Sequence, residues 1–265
     1  MQSPLSITII TKNEEHNILR ALKSAVFARE IVIVDSFSTD KTLEVIEDFQ
    51  KLHPQIQVKV YQRPFENHGA QKNLAASLSQ FDWIFNLDAD ECIDPALEQS
   101  IIKALKENDS QAIYSCKRKN FFDGSGKGNW VWIRYGGWYP DYNSRLYHKK
   151  IGSFTTPAVH EVLTGPKTIK KLEGDLLHYS FPSFISQVKR NVYYSQLGNQ
   201  KILQKNYSSF YLKLLILFKP LGKFMECYFL KLGFLDGYNG FIIALNASYS
   251  IFLKYASAYY GSIII

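Results

Sequence analysis

Trp83-Ile84-Phe85-Asn86-Leu87-Asp88-Ala89-Asp90-Glu91 is the stretch whose reading decides the fold. An apolar run long enough for one buried strand ends in two aspartates one residue apart, and Asp94-Pro95 just beyond reads as a helix start. Strand alternation sends the Asp88 and Asp90 side chains to one side, where two carboxylates can share a divalent cation. Mg²⁺ and Mn²⁺ take oxygen ligands, and Mg²⁺ is commonly held by one or two carboxylates together with substrate phosphates, so a diphosphate is the natural third party. The plainer alternative is two acids in a solvated turn ahead of a helix.

Upstream, residues 5–11 read as a buried strand. The polar Lys12-Asn13-Glu14-Glu15 then opens a helix whose apolar positions Ile18, Leu22, Ala25 and Val26 fall at helical spacing. Four β-branched residues, Ile31 to Val34, make a second strand ending in Asp35, and residues 36–40 supply cap residues for a helix carrying Leu43, Ile46 and Phe49. A strand over 56–61 and a helix over 69–79 lead back to the Asp88 strand. This alternation predicts an α/β fold with a mostly parallel sheet flanked by helices. Ligands of such sheets bind beyond the carboxyl ends of the strands, where Asp35, Asp88 and Asp90 stand.

Downstream, a helix over 95–106 and a strand over 112–118 give way to a glycine- and aromatic-rich segment, residues 120–143. Its rings suit either stacking on a sugar or packing over the sheet. Strands are expected over 144–149 and 168–179. Glu161 lies between them, flanked by apolar residues. Partial desolvation would raise its pKa toward a value useful to a general base; the alternative is an exposed strand glutamate.

Residues 1–165 carry 19 Lys and Arg against 20 Asp and Glu, whereas residues 166–265 carry 12 against 4, so the whole basic excess sits in the last hundred residues. From residue 181 the chain reads helical, and from about 211 it is apolar with interspersed lysines. The longest lysine-free apolar stretch there, residues 241–253, is too short for a membrane span of about 20 residues. Basic residues interleaved with Phe, Leu and Tyr point to helices lying in a membrane interface, with packing on the main domain or a partner chain as the alternative. The three cysteines lie far apart with no C-x-x-C spacing, which argues for reduced thiols. The opening residues lack a signal-peptide pattern, and the expected location is the cytoplasm.

Thr11-Lys12-Asn13-Glu14, Asp35-Ser36-Phe37-Ser38-Thr39-Asp40, Gly69-Ala70-Gln71-Lys72-Asn73 and Leu87-Asp88-Ala89-Asp90-Glu91 together resemble the inverting glycosyltransferase family 2, with its GT-A (Rossmann-like) fold. Arg145-Leu146-Tyr147, Val159-His160-Glu161 and Lys231-Leu232-Gly233-Phe234-Leu235-Asp236-Gly237 add a likeness to the bacterial lipopolysaccharide-core β-1,4-glucosyltransferases. The resemblance implies a GT-A catalytic domain over residues 1–180, with a nucleotide-sugar half to about 118 and an acceptor half over about 119–180. A helical, basic, apolar, membrane-associating region would follow over 181–265. It implies that Thr11, Glu14, Asp35, Lys72, Asp88 and Arg145 bind the donor, that Asp88, Asp90 and His178 hold a divalent metal (Mg²⁺ or Mn²⁺), and that Glu161 is the catalytic base. His160-Glu161 departs from the Glu-Asp or Asp-Asp pair of many members. The implied enzyme is a hexosyltransferase moving glucose from UDP-glucose to a heptose of a lipid-anchored oligosaccharide acceptor, peripheral on the inner face of the inner membrane, with another nucleotide sugar or a capsule or protein acceptor as the alternative.

Two other classes fit less well. A nucleotidyltransferase would open on a glycine-rich phosphate loop, and residues 8–15 hold no glycine. A nucleic-acid-binding module would show a basic stripe, whereas Lys117-Arg118-Lys119 is the one tight basic cluster in the N-terminal half, so no nucleic-acid partner is expected.

Overall fold

The computed structural model describes residues 3–156, 161–205 and 207–261. The chain forms two compact units, Met1–Arg118 with Tyr142–His178, and Lys119–Asp141 with Tyr179–Ile265.

The first unit is built on strands β1 (Ser3–Thr11), β2 (Ala28–Asp35), β3 (Gln57–Gln62) and β4 (Trp83–Asp88), with helices α1 (Ile18–Ser24), α2 (Thr42–Leu52) and α3 (His68–Leu78) between them. These strands pair in the order β3-β2-β1-β4, all parallel. Seven of the eight residues of β2 are buried, as expected of a strand covered on both faces. The register aligns Val34 with Ile10 and Ile10 with Asp88, so β2, β1 and β4 end together at one rim. α1 begins later than the periodicity predicts. Residues 12–15 form a bend and turn in which Asn13 takes a left-handed φ of 57°.

After β4, residues 89–90 make a turn into β5 (Glu91–Ile93). Helix α4 (Pro95–Glu107) follows, with Asp94 as its N-cap accepting from the Leu97 amide at 2.7 Å. Then come β6 (Ala112–Phe122), β7 (Val131–Trp132), β8 (Asp141–His148), β9 (Ser153–Phe154), β10 (Leu163–Thr164) and β11 (Thr168–Phe181). The sheet continues as β4-β8-β6-β11-β5, with β8 antiparallel to β4 and β5 antiparallel to β11. It is therefore mixed, where the sequence led us to expect a mostly parallel one. A parallel return needs a long crossover, usually helical, and no helix lies between α4 and residue 184 among the described residues. One large core, from Leu5, Ile7 and Ile9 through Ile31, Phe85 and Leu87 to Leu146 and Leu176, holds this unit together.

The second unit gathers the ends of β6 and β11, the β7 segment and helices α5 (Phe184–Leu203), α6 (Ser209–Met225) and α7 (Gly237–Tyr259). A π turn (Glu226–Leu230) and a 3₁₀ turn (Gly233–Asp236) join α6 to α7. Phe122, Ile133 and Ile243 form one small core, and Ile202, Leu212 and Ala258 another. The rings of residues 120–143 are engaged with their neighbours: Phe121 stacks on Tyr179, Trp130 meets Tyr179 edge-on, and Trp132 lies between Tyr139 and the Lys119 ammonium. No helix among the described residues is long and apolar enough to cross a membrane.

Candidate active site

Every site residue named from the sequence lies in the first unit. They fall into three groups along the carboxyl rim of β2, β1 and β4.

The first group surrounds Asp35, the last residue of β2 and fully buried. Its carboxylate accepts from the Ser38 amide at 3.0 Å, from the Ser38 hydroxyl and from Gln62 Nε2 at 3.1 Å. Thr11 pairs with Asp35 across the strands, and its buried Oγ1 has no hydrogen-bond partner among the described residues. The turn that bears Glu14 is sewn to the loop after β2. Asn13 donates its amide to Ser38 Oγ at 2.8 Å and accepts from the Thr39 amide at 2.8 Å, and the Glu14 amide donates to Thr42 Oγ1 at 2.8 Å. Asp40 closes the same seam by accepting from the Glu15 amide and from Thr42. These hydrogen bonds outweigh burial and lower its pKa. The Thr-Lys-Asn-Glu and Asp-Ser-Phe-Ser-Thr-Asp motifs thus make one ledge.

The second group is a chain of charges. Asp88 Oδ1 lies 3.2 Å from Lys72 Nζ, and Oδ2 lies 2.8 Å from Arg145 Nη2. Lys72 reaches on to Glu161 Oε1 at 2.8 Å, while Arg145 donates to Asn86 at 2.9 Å and to Glu91 at 2.6 Å. Burial would push the Asp88 carboxyl up, but Arg145 and Lys72 hold it well below the usual carboxylate range. Burial likewise works against the Arg145 charge, and Asp88 and Glu91 raise its pKa regardless. The expectation that Glu161 has a raised pKa is overturned. Its half-buried setting does push upward, but the adjoining Lys72 ammonium lowers its pKa below the ordinary value. Residues 157–160, which hold the Val159-His160 part of the quoted motif, lie outside the described residues.

The third group is Asp90 with His178, Oδ2 to Nε2 at 3.2 Å. Alternation along a strand does not relate Asp90 to Asp88, because β4 stops at Asp88 and Asp90 belongs to the turn. Among the described residues, no three His, Cys, Asp or Glu side chains gather to hold a metal ion by themselves. A carboxylate beside an imidazole nonetheless suits a hard divalent cation that completes its shell with water and substrate phosphate, so these residues fit such an ion.

Sequence reasoning gave no role to the groups that fasten this site. Glu91 is fully buried, pairs with Arg145 and Arg118, and accepts from the Asp88 amide at 3.1 Å, which locks the turn. Asn73 and Phe154 exchange two hydrogen bonds of 2.8 Å, as a strand partner would. A Cβ on Gly69 would meet the Thr155 carbonyl oxygen at 1.9 Å, so only glycine admits that approach. The Gly-Ala-Gln-Lys-Asn motif therefore ties Phe154 and Thr155 against α3.

The sequence profile described as "Glycosyl transferase family 2" matches residues 6–170, well over half of the chain. The chain belongs to glycosyl transferase family 2. Membership makes it a transferase, one that moves a sugar from a nucleotide donor to an acceptor. Among its relatives, "Uncharacterized glycosyltransferase RT0209" of Rickettsia typhi is 29% identical over 95% of this chain and 85% of that one. "Lipopolysaccharide core biosynthesis glycosyltransferase LpsC" of Rhizobium meliloti is 27% identical over 97% and 92%. The solved structure of the mannosyltransferase PcManGT from Pyrobaculum calidifontis, in complex with GDP-Man and Mn²⁺, covers 99% of this family 2 chain and 88% of its own at a TM-score of 0.53. At 13% identity this likeness speaks for the GT-A-like fold alone.

Proposed function

We propose that this family 2 enzyme transfers a hexose, glucose from UDP-glucose, to a heptose of a lipopolysaccharide or lipooligosaccharide inner core, with inversion at the anomeric carbon. The observation that carries the reading is the rim on which Lys72, Asp88, Arg145 and Glu161 form one connected charge cluster beside the Asp90–His178 pair. The naming of LpsC as a lipopolysaccharide core transferase supports the choice of acceptor.

In this reading Thr11, Glu14 and Asp35 line the nucleoside pocket. Asp90 and His178, with Asp88 beside them, would hold Mg²⁺ or Mn²⁺, which offsets the charge of the departing diphosphate. Lys72 and Arg145 present fixed positive charge to the same leaving group. Glu161, ionised at neutral pH, takes the proton of the attacking hydroxyl. A single in-line displacement needs one such carboxylate, unlike the paired acids of glycoside hydrolysis. Residues 1–180 act as the catalytic part, residues 119–180 contribute to the acceptor side, and residues 181–265 bring the enzyme to the cytoplasmic face of the inner membrane.

Incubating the purified protein with a panel of nucleotide sugars plus Mn²⁺, and measuring released nucleotide, tests the donor. UDP-glucose should be turned over fastest, and faster still with a deacylated heptose-containing core oligosaccharide. Preference for another sugar nucleotide would replace the donor, and no stimulation by the core oligosaccharide would remove the acceptor.

A further inference from the structure

The geometry points to the corner between α6 and α7, residues 229–235, as a wedge that enters an anionic phospholipid surface. This deepens the membrane-peripheral part of the proposed function and rests on it.

Five of the seven corner residues are large and apolar, and all five are exposed: Phe229, Leu230, Leu232, Phe234 and Leu235, with Leu230 at 79%. An exposed apolar cluster on a floppy loop would be unremarkable, but this corner is held in place. The Lys231 amide donates to the Glu226 carbonyl at 2.8 Å, and the Lys231 carbonyl accepts from the Gly136 amide at 2.8 Å. Asp236 accepts from the Arg134 and Tyr135 amides at 3.0 and 2.8 Å. A Cβ on Gly240 would meet the Gly233 carbonyl oxygen at 1.8 Å, and one on Gly233 the Cys227 carbonyl oxygen at 2.6 Å, so the two turns are in backbone contact. Behind them, the Tyr228 ring touches those of Phe224, Phe229, Phe234 and Phe241.

Leu232 is held at a φ of 57°, a conformation that residues with a side chain rarely adopt. A leucine kept in the left-handed region with its side chain in solvent fits a surface used for contact.

The charge pattern selects the partner. Residues 209–237 carry Lys213, Lys219, Lys223 and Lys231 against Glu226 and Asp236. Glu226 is paired with Lys223 and Lys231 and Asp236 accepts from backbone amides, so the segment keeps a net charge of +2, four lysines less two acids. Exposed apolar side chains on a segment of net positive charge suit acyl chains beneath anionic headgroups. Directly after the wedge, Tyr238 and Asn239 line a cavity of about 430 Å³ together with Phe122, Ser125, Asn129 and Phe184. Aromatic faces and amides of that kind suit a sugar ring. The wedge would thus hold this cavity at the membrane, where a lipid-anchored acceptor presents its sugars.

Co-sedimentation of the full chain with vesicles of phosphatidylcholine, alone or mixed with phosphatidylglycerol, tests the wedge. Leu230→Asp and Leu235→Asp are compared with Leu52→Asp, which alters an equally exposed leucine of the first unit. Circular dichroism checks that each variant folds. The expected result is binding of the wild type to phosphatidylglycerol vesicles, weakened about tenfold or more by either wedge variant and unchanged by Leu52→Asp. Full binding by both wedge variants would overturn the wedge while leaving the membrane-peripheral reading intact. A wild type that ignores the vesicles would overturn both.

Discussion

Lys72 is the residue on which the charge cluster turns, because its ammonium touches both Asp88 and Glu161. Glu161 is lowered below its ordinary value, so it stays ionised over the working range, and the acid limb of kcat/KM that it sets should lie below that of an ordinary glutamate. Lys72→Met removes the main charge opposing burial, leaving only the weaker pull of His68 and a backbone hydrogen bond against it. The limb should then move to higher pH, and a pH–rate profile in which it stays put would remove the coupling. Glu161→Gln should lower kcat by about 10²-fold or more while donor affinity changes little, the mark of a lost base. The sign for stability follows from the same shifts. Asp88 and Glu161 are both depressed on folding, so their contribution is fully present above the unfolded carboxylate pKa of about 4 and is lost as pH falls through the folded values. The candidate charges were legible in the sequence as motif residues. Their pairing was not, since Lys72 and Glu161 are 89 positions apart and only the fold brings them together.

At the scale of the element, the turn between β4 and β5 and the start of α3 decide how well the rim is defined. Arg145→Met would leave Glu91, fully buried, and Asp88 without their strongest cation. It should destabilise the chain by about 3–5 kcal/mol in urea unfolding, the usual cost of breaking a buried pair from one side. Gly69→Ala would force a Cβ into the Thr155 carbonyl, costing about 1–3 kcal/mol. The first four strands and three helices were readable because their apolar periods are short and unbroken. The opening of α1 was misread, because the side chain of Asn13 caps the neighbouring loop in place of starting a helix. The fate of the aromatic segment over 120–143 was not readable, since ring-on-ring contacts such as Phe121 with Tyr179 join positions that no local period relates.

For the molecule as a whole, strand order explains why distant motifs serve one site. Thr11, Asp35 and Asp88 end adjacent parallel strands. Neighbouring strands lie about 4.8 Å apart, so a nucleotide lying along the rim spans all three strand ends. The antiparallel return of β8 and β11 then delivers Arg145 and His178 to the same sheet, which a reading based on parallel alternation alone could not foresee. The uneven charge, neutral in the first 165 residues and basic in the last hundred, was visible at once and remains the plainest reason to look for an anionic surface as partner. The central claim, that this rim grips a nucleotide diphosphate through a divalent cation, is tested most directly by calorimetric titration with UDP in the presence and absence of Mn²⁺. Mn²⁺ should tighten UDP binding by about tenfold or more, ~1.4 kcal/mol, and Asp90→Ala should abolish that gain while preserving the fold. Equal affinity with and without the ion, or an undiminished gain in Asp90→Ala, would contradict it.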